Sequence, residues 1–310
     1  MAEIRKKMGR KERCNMKVFY HSDLDGEASA ASFRFGRDVD DGEAYFPINY
    51  NTHFPIDDIE KDEEVFIFDF TLQEEGMWDR LLSKTENVTW VDHHERAIRS
   101  AGERLSSLPG LRAWTKNGAP VAACELCWEY FHPGEFMPLA IYLIGDYDCW
   151  RFNLGNRSRW FVRGLLATRD TRPASPFWEN VIECSELEAT KHMIDQTCEI
   201  GRMIVEKSDI SNEQALSEWG FEIEIEGLRG LCINRSQAGS DFFKSMADGY
   251  DVLVPIVFDG ERWTVSLYAS PGKTDVDLSE IASRFGGSGH RGASGFQCKE
   301  LPFKIVGRLS

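Results

Sequence analysis

Four short segments in the first half of the chain carry the side chains best suited to holding cations: His21-Ser22-Asp23-Leu24-Asp25-Gly26, Asp69, Asp92-His93-His94, and Asp146 with Asp148. Asp23 and Asp25, two residues apart in a loop that enters a helix, let two carboxylates face neighbouring cations, with Gly26 permitting a tight turn and Asp69 placed to bridge them. Carboxylate oxygens with imidazole nitrogens suit hard or borderline ions, Mn²⁺ first because histidines are included and Mg²⁺ next. A single Asp after a strand is commonly a helix cap; four such segments together point to a metal centre. At Asp92-His93-His94 one imidazole is free to bind metal while the other binds or protonates a substrate oxygen, with capping or a salt bridge as the alternative role.

The elements that must carry these residues alternate. Lys17–His21, Ala44–Ile48, Glu64–Phe70 and Asn87–Val91 read as buried strands, three of them ending at His21, Asp69 and Asp92, and helical stretches separate most of them. That pattern predicts an α/β fold with a mostly parallel, doubly wound sheet, whose ligands gather outside the carboxyl ends of the strands. Apolar residues at helical spacing predict helices over Ala119–Phe131 and Met137–Ile144, with Gly145 to Asp148 as a loop after the second. The amphipathic stretch Trp178–Gln214 reads as a connecting helix. Beyond it, Phe221–Ile225, Leu228–Asn234, Val252–Phe258 and Trp263–Tyr268, with a helix near Asp277–Phe285, predict a smaller α/β domain built on a mixed sheet. The expected division is 14–175, a helical link 176–218, and 219–310.

Phe285 to Gly295 holds five glycines between Gly286 and Gly295, together with His290 and Arg291. Bare backbone approaches a phosphate closely, and the His-Arg pair adds donors and positive charge. The eight cysteines are scattered, and the one CxxC pair, Cys124 and Cys127, lies in an apolar helical stretch with no second pair to complete a zinc site, so buried thiols are expected. A net charge of −15 argues against gripping long duplexes, because that affinity comes from basic residues neutralising many phosphates. No apolar run is long enough for a membrane span, and Met1 to Arg13 leads into no apolar stretch, so a cytoplasmic location is expected.

Taken in order, HSDLDG, the triplet Asp92-His93-His94, GDYDCW and GGSGHRGASG resemble the DHH-type phosphoesterases that carry a DHHA1 substrate domain, and within them most closely the nanoRNase (oligoribonuclease) branch. The resemblance covers nearly the whole chain. It implies that His21, Asp23 and Asp69 hold one divalent cation and that Asp25, Asp69, His93 and Asp146 hold the other, Mn²⁺ before Mg²⁺ or Co²⁺. It further implies that Asp92 supports the imidazoles, that His94 lies near the scissile phosphate, and that Gly287, Gly289, His290 and Arg291 hold substrate phosphate or sugar. The implied activity is two-metal exonuclease-like hydrolysis of short oligonucleotides to nucleoside monophosphates. A cyclic-dinucleotide phosphodiesterase, a 3′-phosphoadenosine 5′-phosphate phosphatase and a non-catalytic nucleotide-binding module are the alternatives. Homodimer formation is left open.

Overall fold

The computed structural model describes residues 16–37, 44–185, 187–273 and 275–309, so the basic leader, Cys14 and the expected domain start lie outside the described residues. The chain divides into two compact units, Met1–Arg202 and Met203–Ser310, and the division falls inside one long helix.

In the first unit, β1 (Met16–His21), β2 (Tyr45–Ile48), β3 (Glu64–Phe68) and β4 (Val88–Val91) form a sheet of order β2-β1-β3-β4, every pairing parallel. Residues alternate between its faces, as the pleat requires. Val18, Tyr20, Phe66, Phe68 and Val91 share one buried cluster with Phe33 of α1 (Leu24–Arg37) and with Leu126 and Cys127 further along the chain. Phe19, Val65, Ile67, Val88 and Trp90 pack on the other side with Met77, Leu81 and Leu82 of α2 (Met77–Lys84). Both faces are therefore covered, which is why the strands read as continuous apolar runs rather than alternating ones. Each fully buried Phe or Leu here contributes roughly 1.5–3 kcal/mol relative to exposure.

After β4 come α3 (Glu95–Ser100), the one-turn α4 (Glu103–Ser106) and a two-residue ladder, β5 (Thr115–Lys116) with β6 (Ala119–Pro120). An outer layer follows: α5 (Ala123–Phe131), α6 (Leu139–Asp148), α7 (Arg157–Thr168) and the short α8 (Pro176–Trp178), joined around Trp128, Ile141, Ile144, Phe161 and Trp178. Here the structure corrects one sequence expectation. Residues 145–148 are not a loop after a helix; they are the last turn of α6. A π-helical turn at Glu179–Glu183 then precedes α9 (Glu188–Trp219), which contains most of the predicted connecting helix.

The second unit is a seven-stranded mixed sheet: β7 (Phe221–Ile225), β8 (Leu228–Asn234), β9 (Val252–Phe258), β10 (Trp263–Ala269), β11 (Ser288–His290), β12 (Ala293–Cys298) and β13 (Lys304–Arg308). Its order is β11-β12-β10-β9-β8-β7-β13, with β8 and β9 parallel and the other pairs antiparallel. α10 (Leu278–Arg284) packs Leu278, Ile281 and Ala282 on one face, with Asp277 capping it by accepting from Ser279 N–H. β11, β12 and β13 are not evident from sequence; glycine and lysine mask the first and last of them. At the outer edge, the ladder of β13 with β7 slips between Ile305 and Gly307. Among the described residues no helix is long and apolar enough to cross a membrane.

Candidate metal centre

Three parallel strands aim their carboxyl ends at one place. His21 is the last residue of β1, Asp69 follows β3, and Asp92-His93-His94 follows β4. Asp69 holds a left-handed backbone, φ 54°, with its N–H bonded to Val91 O. Such strain in a non-glycine residue is characteristic of functional positions.

Asp69 is the hub. Its carboxylate is 1% exposed and faces three imidazoles: His21 Nδ1 at 3.5 Å, His93 Nε2 at 3.3 Å and His94 Nδ1 at 3.8 Å. Asp23 Oδ2 lies 2.7 Å from His21 Nδ1, while its Oδ1 accepts Gly26 N–H and so also caps α1. Asp25 is buried at the first turn of α1, and both its oxygens accept backbone N–H groups, from Ala123 and Cys124 at the start of α5. Asp25 Oδ2 is nevertheless 3.7 Å from His93 Nε2. Asp148 Oδ2 approaches the same nitrogen at 3.6 Å.

The ring orientations are fixed from behind. His93 Nδ1 bonds Val121 O at 3.0 Å, which leaves Nε2 pointing at the carboxylates. His94 Nδ1 lies 2.7 Å from Asp92 Oδ1, and that oxygen also accepts the His94 N–H. This is the way metal-binding and catalytic histidines are usually oriented, through a partner on the nitrogen not in use.

Asp146, in contrast, is not brought to this cluster. Its Oδ2 accepts Ser158 Oγ, its Oδ1 accepts Asn153 N–H at 3.0 Å, and Arg151 Nε lies 3.6 Å away. Residues two apart on a helix are turned by about 200° from each other, so the last turn of α6 can present only one of its two acids to His93. That acid is Asp148.

The electrostatics are lopsided toward anions. Burial, and then Asp69 and Asp148, push the Asp25 carboxyl well above the usual carboxylate range. Burial raises Asp148 to about 6, with His93 opposing and Asp69 and Asp23 adding to the rise. Burial works against charge on His21, yet Asp23 and Asp69 outweigh it and lift the imidazole to about 10. His93 and His94 are raised in the same way, by Asp69 and by Asp92 respectively, against their burial. Among the described residues Asp69 Oδ1 and Asp92 Oδ2 are buried without a hydrogen-bond donor. Clustered buried carboxylates with an orphaned oxygen and imidazoles aimed inward fit divalent cations. Three donor groups have ligand atoms within 4.8 Å of one another: His21 with Asp23 and Asp69, Asp69 with His93 and His94, and His93 with Asp148 and Cys149.

Sequence reasoning missed Asp148 as the acid facing His93, and it missed Cys149 and Tyr50. Tyr50 stacks on Phe70 with ring centroids 4.6 Å apart and lies 5.4 Å from the His21 ring, forming one wall of the site; nothing in its sequence context signals this. Next in the chain after Cys149, Trp150 is 55% exposed and takes φ 54°, with Phe152 at φ 49°.

In the second unit the glycine-rich run is a hairpin. β11 pairs with β12, Gly287 N–H is taken by Ala282 O, and Gly289 has φ 148° with Ser294 Cα where a Cβ would need to be. Close cross-strand packing thus accounts for Gly289. Arg291 is held near Asp277 Oδ2 at 3.6 Å and donates to Asp275 O. His290 lies in β11.

No established family profile matches the chain. It is 23% identical over 295 residues to the "Uncharacterized protein R106" of Acanthamoeba polyphaga mimivirus, a match covering 88% of this chain and 64% of that protein's length. Among solved structures it resembles the DHH domain of PF0399, a protein described as belonging to a family of ribosomal proteins, with TM-score 0.58, 13% identity and coverage of 94% and 82% of the two chains. It also resembles PggH, a pGpG-specific phosphodiesterase from Vibrio cholerae, with TM-score 0.51, 10% identity and coverage of 92% and 93%. A parallel sheet whose strand ends carry Asp69 and Asp92-His93-His94, followed by a mixed-sheet unit, gives this chain the fold of the DHH-domain proteins.

Proposed function

We propose that the chain is a metal-dependent phosphoesterase that hydrolyses phosphodiester bonds in short oligonucleotides, releasing nucleoside monophosphates. The observation that carries this reading is the Asp69 carboxylate, buried, left-handed and surrounded by His21, His93 and His94 within 3.8 Å. His21, Asp23 and Asp69 would hold one divalent cation, and Asp69, His93 and Asp148, with Asp25 behind them, the other; Mn²⁺ is the first choice, with Mg²⁺ and Co²⁺ next. Such a pair supplies a hydroxide-like nucleophile near neutral pH and offsets charge on the phosphate oxygens.

The chain's own residues do the rest. With Nδ1 fixed on Asp92, His94 keeps Nε2 for a phosphate oxygen or for the leaving alkoxide, to which the imidazolium donates a proton. In the metal-free chain Asp92, against burial, raises the proton affinity of His94. Trp150 and Tyr50 offer exposed aromatic faces beside the site, suited to stacking a base. Gly287, Gly289, His290 and Arg291 remain the proposed contacts to substrate phosphate or sugar.

Short substrates are favoured by the −15 charge, which repels long polyanions, and by the likeness in fold to a phosphodiesterase specific for the dinucleotide pGpG. The deciding experiment incubates the protein with Mn²⁺ and labelled RNA and DNA of graded length, cyclic dinucleotides and 3′-phosphoadenosine 5′-phosphate. Mononucleotide release from the shortest linear substrates supports the reading. Tight nucleotide binding with no product from any substrate would establish the non-catalytic module in its place.

A further inference from the structure

Cys149 caps the C-terminus of α6 directly after Asp148, and its Sγ lies 4.0 Å from Asp148 Oδ2. One nitrogen of His93, a carboxylate oxygen of Asp148 and this sulfur all fall within 4.8 Å of one another. His93 Nε2 is 3.6 Å from Asp148 Oδ2 and 3.3 Å from Asp69 Oδ1, the buried oxygen that lacks a donor. The thiol is thus one corner of a converging donor set. The remaining described cysteines sit elsewhere: Cys124, Cys127, Cys198 and Cys232 are buried, and Cys184 and Cys298 belong to no such donor group.

We infer that Cys149 is a sulfur ligand of the centre, joining His93 and Asp148, so that its two cation positions differ in kind. The position at His21, Asp23 and Asp69 is dominated by oxygen and takes Mn²⁺ or Mg²⁺. The one at His93, Asp148 and Cys149 presents nitrogen, oxygen and sulfur, a set that favours borderline or soft divalent ions, Zn²⁺, Co²⁺ or Cd²⁺, over Mg²⁺. On binding, the S–H bond is exchanged for a metal–sulfur bond, and the thiol proton leaves to solvent. Asp148 and Cys149 are adjacent at the end of α6, and their donor atoms converge with that of His93. This inference rests on the metal-centre reading above.

The test is spectroscopic and needs no substrate. Metal-free protein is titrated with Co²⁺, alongside Cys149→Ser and, as a control, Cys298→Ser. Visible ligand-field bands report that Co²⁺ occupies the centre, and an intense near-ultraviolet sulfur-to-cobalt band reports a thiolate ligand. The expected result is both features in wild type and Cys298→Ser, with the near-ultraviolet band lost and the visible bands kept, though shifted, in Cys149→Ser. Visible bands without the charge-transfer band in wild type overturn the sulfur ligand while leaving the metal centre standing. Absence of both overturns the centre itself. Should Cys149→Ser fail to fold, cadmium NMR of the wild-type protein reads the same bond, because a sulfur-ligated ion resonates far from one held by oxygen and nitrogen alone.

Discussion

Asp92 Oδ1 accepts two hydrogen bonds from one residue, His94: one from its backbone N–H at 3.0 Å and one from its ring at 2.7 Å. The carboxylate therefore fixes where the residue sits and how its ring is turned. Asp92→Asn keeps the size of the side chain but loses the charge that holds the ring. A 10–100-fold fall in turnover is expected, the usual size of such an effect, with metal stoichiometry unchanged. Steady-state kinetics beside metal analysis checks it, and loss of metal in parallel with activity would move Asp92 into the ligand set.

Asp69 has two roles that different substitutions separate. Asn tolerates the left-handed backbone far better than Ala, so Asp69→Asn removes the anionic bridge without backbone strain, whereas Asp69→Ala adds strain of about 1–3 kcal/mol. Both variants should lose Mn²⁺ binding and activity, and only Asp69→Ala should show the further drop in melting temperature. Calorimetric titration and thermal unfolding measure the two effects separately; full activity in Asp69→Asn would defeat the shared-ligand assignment.

The two acids of the α6 terminus should behave oppositely. Asp146 is buried among Ser158, Asn153 N–H and Arg151, so Asp146→Asn should destabilise the fold by about 1–3 kcal/mol and affect metal affinity little. Asp148→Asn should weaken metal binding and leave stability near wild type or above it, because burial already disfavours its charge. Denaturant melts and metal titrations on the pair decide, and the reverse pattern would restore Asp146 to the centre.

The metal-free protein should show a defined response to pH. His21 is raised to about 10 in the folded chain, from an ordinary 6.5. A raised imidazole stabilises the folded state fully below pH 6.5, and that contribution disappears as pH climbs through about 10. Cations bind the neutral ring, so near pH 7.5 metal uptake must expel a proton from His21, and affinity should rise with pH across this window. Calorimetry in buffers of different ionisation enthalpy counts the protons; none released would mean that His21 stays outside the coordination shell.

Trp150 provides a test of the base-stacking role. Trp150→Ala should cost about 1–3 kcal/mol per stacked base in binding of a nucleotide product, and it should leave Mn²⁺ affinity intact. An unchanged product affinity would remove Trp150 from the substrate's path.

Much of the first unit is legible because parallel strands covered on both faces leave long apolar runs, so Lys17–His21, Glu64–Phe70 and Asn87–Val91 identify themselves, the second of them running two residues past the observed end of β3, and the acids at their ends follow. The end of α6 is not legible. Gly145 reads as a helix stop, but the helix runs through it, and the glycine answers instead to the Glu125 side chain, which packs too closely for a Cβ. With the helix ended too early, Asp146 and Asp148 look interchangeable; at helical spacing they diverge. The glycine-rich run reads as an anion loop because glycine signals turns more often than strands, and the β11–β12 pairing depends on partners across the sheet that local sequence does not reveal.

The seven-stranded sheet has two outer margins, and both resist being lengthened. At one, β11 is a three-residue strand containing a glycine at φ 148°. At the other, Ile305 and Val306 are exposed on β13, a combination that invites another strand to add on, yet the slip between Ile305 and Gly307 breaks the regular row of backbone donors, and Lys304 and Arg308 bracket it with positive charge. The sheet thus carries built-in protection against edge-to-edge polymerisation, and straightening that bulge by removing Val306, the residue the ladder leaves unpaired, would take part of that protection away.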